Sequence, residues 1–237
     1  MNADRVWSIY ALADLDPGLF EQCEWNVAGE GLSLVFTGIP IRPIFILGNA
    51  AEARALLAAL PCASGYLNLR TEHLEAAGGI FHYTHRNHMH RMALGEFKPR
   101  SGSVETLGPA DAAEIQRLYA TGSGAGVAFA PFQLETGFFR GIIRNGELAA
   151  VAGVHTVSRA ESVAGAGNIF TRADYRGQGL AQAVTSAVTA ALLDAGITTI
   201  GLNVETTNAP AIAAYRRLGF RVALDYWEGP AVRAGLD

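Results

Sequence analysis

Tyr175-Arg176-Gly177-Gln178-Gly179-Leu180-Ala181 stands between a mostly apolar run ending at Phe170 and a helical one beginning at Leu180, and its reading decides the fold. Val163 to Phe170 has the length and apolar content of a strand. Downstream, Leu180, Ala183, Val184, Ala187, Val188, Ala191 and Leu192 recur at helical spacing. This predicts a helix from about Gly179 to Ala195, one face buried, closed by Gly196. A Gly-rich turn from strand to helix leaves backbone N–H groups unpaired, and the helix dipole adds positive potential there. Gly177 and Gly179 let a ligand approach the backbone with no Cβ in the way, and Arg176 adds a fixed charge. The turn therefore suits a phosphate or pyrophosphate, although Gly-x-Gly turns also serve as plain tight connections. No Gly-Lys-Ser/Thr ends it, and the third glycine of a dinucleotide fingerprint is missing.

A second element follows in order. Asn203 to Ala211 leads through Tyr215 to Leu218-Gly219-Phe220. With Arg176, Gly179 and Ala181 matching Gln/Arg-x-x-Gly-x-Gly/Ala, the chain resembles the GNAT superfamily of acyl-CoA-dependent N-acyltransferases. The resemblance runs from about Val104 to Trp227 and is most specific from Asn168 to Phe220. It implies a mixed α/β fold, with a mostly antiparallel central sheet flanked by helices. It also implies acetyl-CoA as co-substrate, a primary amine of a small molecule, amino acid or peptide as acceptor, and no metal.

The resemblance further implies roles. The run Arg176, Gly177, Gln178, Gly179, Leu180 and Ala181 would hold the pyrophosphate of coenzyme A. Ile169 and Phe170 would pair with the pantetheine arm through their main chain, and Asn208 would touch the cofactor. Asn208 is equally a good N-cap, and the two roles are compatible. Tyr215 would be the general acid for the departing thiolate; its spacing from Ala211 and Leu218 also fits a buried face. For a base, the position where some relatives carry Glu holds Val163. Glu161, on the same strand face or in a turn, and His155, on the preceding strand, are the candidates. A water chain can also take the proton. The missing strand carboxylate keeps a rival open, a non-catalytic acyl-CoA-binding module.

Other features are read more plainly. Asn145-Gly146 joins Phe138–Arg144 to Leu148–Val157 as a hairpin. Phe81 to Leu94 reads as one long strand on which His82, His88 and His90 share a face. A closed zinc site needs about four convergent ligands, so this tract reads as a polar strand face. Gly122 to Gly137, with Phe129, Pro131 and Phe132, reads as an acceptor-site wall or an ordinary surface loop.

The chain of 237 residues is 50% hydrophobic and 17% charged, which excludes global disorder. The net charge of -4 argues against a nucleic-acid partner. No apolar run is long enough to span a bilayer, and the first residues lack a signal peptide's apolar core, so a cytoplasmic protein is expected. A single lysine, Lys98, among abundant Ala, Gly and Arg is the codon signature of a GC-rich bacterial genome. Cys23 and Cys62 make no disulfide framework. The polar break 98–103 divides a divergent N-terminal domain, 1–97, from a catalytic domain, 104–237. The first would be a divergent companion domain, a degenerate copy of the second being one option, as in relatives similar to glycine N-acyltransferases. One cofactor site per chain is expected, and a homodimer is left open.

Overall fold

The computed structural model describes residues 4–122 and 126–235. The chain packs as two compact units: the first takes the chain up to Arg91 together with Ala223 onward, and the second is Met92–Val222. This differs from the expected division at 98–103. That segment is exposed, but its backbone is tied down. Gly95 N donates to Gly219 O, Lys98 N to Leu218 O, and Arg100 N to Ser186 Oγ, all within the second unit. Side-chain polarity there does not mean a free chain.

The first unit opens with two short helices, α1 (Ile9–Ala13) and α2 (Pro17–Phe20). The strands β1 (Cys23–Ala28), β2 (Gly31–Phe36) and β3 (Pro43–Leu47) form an antiparallel meander. The helix α3 (Ala50–Ala59) then crosses over, and β4 (Ser64–Arg70) returns parallel to β3. Burial of both faces explains the unbroken apolar run of β3. Ile44 and Ile46 join Ala53, Leu56 and Leu57 of α3 in one core cluster. Phe45 and Leu47 point the other way, into a cluster with Trp7 and Tyr226. Each such side chain contributes about 1.5–3 kcal/mol when fully buried.

The start of α3 is closed by its own residues. The Asn49 side chain accepts from Ala51 N and Glu52 N, both at 3.0 Å, while the Glu52 carboxylate accepts from Asn49 N at 2.8 Å and Glu30 N at 2.9 Å. Those backbone donors, Asn49 first, hold the Glu52 carboxyl below its usual range.

After α4 (Leu74–Ala77), the stretch expected as one strand is two, β5 (Phe81–Tyr83) and β6 (Asn87–Leu94). His85 lies in the break, where its carbonyl passes so close to Gly229 that a Cβ there would sit 2.1 Å away. His82 thus leaves the shared face. His88 and His90 stay together around Asp225: His90 Nδ1 lies 2.5 Å from Oδ1 and His88 Nε2 lies 3.6 Å from Oδ2. Among the described residues, no group of three His, Cys, Asp or Glu side chains is arranged to hold a metal ion.

His73 is fully buried, with Nε2 2.9 Å from Gly48 O and Nδ1 unpartnered. Burial lowers its pKa below 6.5, partly opposed by the Gly48 carbonyl. The unfolded chain therefore takes a proton that the folded one refuses as pH falls below 6.5. Stability of the first unit should be flat with pH above that value and should decline below it. Urea midpoints across pH 5 to 7.5 check this (about the range in which histidine titrates), and His73→Gln should flatten the decline.

The second unit contains β7 (Glu105–Leu107), α5 (Ala112–Tyr119), β8 (Phe139–Arg144), β9 (Glu147–Ser158), β10 (Val163–Thr171), α6 (Leu180–Asp194), β11 (Thr199–Glu205) and α7 (Ala209–Arg217). The strands lie in the order β7-β8-β9-β10-β11, and only β10 and β11 run parallel. The β8–β9 hairpin turns on Asn145 (φ 53°) and Gly146 (φ 80°), the two positive angles a type I′ turn requires. Val184, Val188 and Leu192 carry the buried face of α6 into the core with Val151, Val154 and Ala164.

The last strand, β12 (Phe220–Arg233), begins in the second unit and ends in the first, where it pairs antiparallel with β4 from Tyr226↔Arg70 to Val232↔Ser64. It runs well past Trp227, where the family resemblance ends. The fold is mixed α/β, mostly antiparallel and flanked by helices, as the sequence implies. No helix among the described residues is long and apolar enough to cross a membrane.

Candidate active site

The parallel pair β10–β11 is joined only along part of its length. Its register runs from Val163↔Thr199 to Ala166↔Leu202, whereas the strands continue to Thr171 and Glu205. At that point β10 also changes register against β9. Gly167 opposes Gly153 and Phe170 opposes Val151, so Asn168 and Ile169 together face Ala152. This is a β-bulge, and Asn168 adopts φ 55° within it. Beyond the bulge, Ile169, Phe170 and Thr171 are half-buried on the side from which β11 has parted.

The loop that follows opens into α6. Arg172 braces it, bonding Asp174 at 2.8 and 3.0 Å and pairing with Glu147. Tyr175 is held by Asn145 Nδ2, which donates to its hydroxyl at 3.0 Å. Gly177 and Gly179 both take φ 77°, and a Cβ on either would meet nothing within 4 Å. Gly179 is the N-cap of α6 and supplies no side-chain cap. The contrast with α3 is direct: one helix start is filled by Asn49 and Glu52, and the other lies open. Arg176 is exposed beside it, its Nε donating to Thr171 O at 3.2 Å. Thr171 Oγ1 is occluded from solvent and has no partner. An unfilled helix start, two glycines facing open space and an orphaned hydroxyl suit a ligand carrying phosphates and a polar arm.

The candidate side chains separate. Asn208 caps α7, accepting from Ala211 N at 3.2 Å, so its capping role is real. Tyr215 is buried, its ring edge-on to Phe220 at 6.4 Å, and burial raises its pKa, which keeps the phenol protonated at neutral pH. His155 reaches the bulge: a Cβ on Gly167 would lie 2.0 Å from His155 Nε2, so the imidazole sits directly on that glycine. Glu161 does not. It lies in the turn between β9 and β10, its N–H donating to Ser158 Oγ, and Val163 to Ile169 alone spans about 20 Å of strand.

Sequence reasoning passed over Asn168, Gln133 and Tyr119, which meet at the bulge. A polar residue interrupting the apolar run at Asn168 was the available signal. Within the expected acceptor wall, Phe129 packs on Tyr119 at 5.5 Å and Phe139 at 5.8 Å. Ser123–Ala125 of that stretch lie outside the described residues.

Residues 112–220 match the model of the acetyltransferase (GNAT) family. The fold is shared along nearly the whole chain with solved structures. One, a protein assigned to the GNAT family from Novosphingobium aromaticivorans DSM 12444, has a TM-score of 0.69 at 19% identity, covering 95% of this chain and 97% of that one. A GCN5-related N-acetyltransferase from Kribbella flavida gives 0.65 at 18% identity, covering 98% and 96%. A tandem GNAT protein from the clavulanic acid biosynthesis pathway gives 0.58 at 16%, covering 91% and 85%. In sequence, 49 residues are 51% identical to a mycothiol acetyltransferase from Corynebacterium jeikeium, a match spanning 21% of this chain and 14% of that protein.

Proposed function

We propose that the second unit is an N-acetyltransferase that moves the acetyl group of acetyl-CoA to a primary amine of a small molecule, amino acid or peptide. The observation that carries this is the open start of α6 at the end of a parted parallel strand pair. The backbone of 176–181 binds the pyrophosphate, Ile169 and Phe170 pair with the pantetheine, and Asn208 adds a contact beside its capping role. The amine nitrogen attacks the thioester carbon, forming a tetrahedral intermediate. The C–S bond then breaks, the nitrogen gives one proton to His155, directly or through water, and the sulfur takes one from Tyr215. Of the two bases considered, His155 is favoured by its seat on Gly167, and Glu161 is disfavoured by its turn.

We infer that the first unit is a second copy of the same plan. Its meander, crossover helix and parallel return (β1-β2-β3-α3-β4) repeat the order β8-β9-β10-α6-β11. Such a two-part build also supports the likeness to glycine N-acyltransferases. A filled helix start there leaves one cofactor site per chain.

Free thiol released from acetyl-CoA, measured against a panel of amines, amino acids and peptides, tests the reading. Release above the acceptor-free rate with at least one acceptor is expected. The absence of any carboxylate in β10 favours a binding-only module as the second reading. Tight coenzyme A binding with no release on the whole panel would establish that instead.

A further inference from the structure

The bulge in β10 is held by a side-chain network that reaches across the unit. Asn168 is buried and keeps a left-handed φ of 55°, a conformation that residues other than Gly, Asn and Asp seldom adopt. Its Nδ2 donates to Gln133 Oε1 at 3.0 Å and to Val154 O at 3.1 Å, and its carbonyl accepts from the Tyr119 hydroxyl at 2.7 Å. Gln133, also buried, accepts from Ala130 N at 3.0 Å and donates to Ala128 O and His155 O, each at 3.1 Å. Both donors of each amide are therefore used, which fixes their orientation. Phe129, between those anchors, packs at a tilt against Tyr119, which in turn meets Phe170 edge-on at 5.9 Å. One buried amide thus ties the cofactor strand to the segment 128–136.

Resting on the acetyltransferase reading, we propose that Asn168 is a positioning residue that couples occupancy of the pantetheine strand to ordering of segment 128–136, the wall of the acceptor site. A satisfied buried network has few alternative arrangements, so a ligand that stiffens Ile169 and Phe170 stiffens its far end too. A role in stability alone predicts no such response.

Hydrogen exchange of the full chain, with and without saturating coenzyme A, tests this. In the unaltered protein, coenzyme A should slow exchange over 128–136 by about tenfold, within the usual range of coupling between sites. Asn168→Gly keeps the left-handed backbone and removes the amide. It should bind coenzyme A within about threefold of the unaltered affinity while the slowing disappears. Gln133→Ala, which cuts the far side of the same link, should act alike. Slowing that persists in both variants, or no slowing over 128–136 in the unaltered protein that has bound coenzyme A, overturns the coupling. Failure of the unaltered protein to bind coenzyme A overturns instead the reading on which it rests.

Discussion

A Gly179→Val chain should fold and should no longer bind coenzyme A. The position faces open space, where a Cβ would meet no heavy atom within 4 Å, so no packed side chain has to move for it. Its cost to folding is the left-handed φ of 77°, about 1–2 kcal/mol for a residue with a Cβ. A domain typically holds about 5–15 kcal/mol in reserve, so the fold survives. The branched side chain, however, projects into the space over the unpaired N–H groups at the start of α6. A phosphate needs those donors at hydrogen-bond distance, and no detour offers others. Affinity measured by calorimetry should fall by at least about 100-fold, as befits loss of several charge-assisted hydrogen bonds. Circular dichroism should stay unaltered. Full affinity in a folded variant would place the phosphate cradle elsewhere.

Tyr215→Phe should lower turnover by about 100-fold, the lower end of general acid catalysis, because a thiolate leaves readily even without a proton. The ring keeps its contact with Phe220, so neither stability nor affinity for acetyl-CoA should move much. Tyr119 offers the control. Its hydroxyl is committed to Asn168 O, so it cannot stand in for Tyr215. Turnover should be compared under conditions limited by chemistry. An unchanged rate would leave Tyr215 a core residue only.

Local signals carried the second unit. Helical spacing marked α6, Asn145-Gly146 marked its hairpin, and two glycines marked the loop, since each is a property of neighbouring residues. What the sequence hid depends on distant partners. A bulge is a two-against-one count between strands, invisible from β10 alone. Gln133 and Asn168 meet across 35 positions. The 98–103 segment has the composition of a linker, yet the amides of Lys98 and Arg100 are taken by Leu218 and Ser186. The strand β12 carries on through Gly229-Pro230, and the Pro230 carbonyl accepts from Thr84 N. Of the two candidate bases, His155 sits on Gly167, the glycine that leaves room for an imidazole, and Glu161 lies away in the turn between β9 and β10.

The Glu52 carboxylate at the start of α3 has a stoichiometric consequence. It is a covalently tethered anion in permanent residence, at an effective concentration no dissolved phosphate matches. Titration with coenzyme A should therefore saturate at one equivalent per chain along a simple hyperbola, with no second, weaker phase at high ligand.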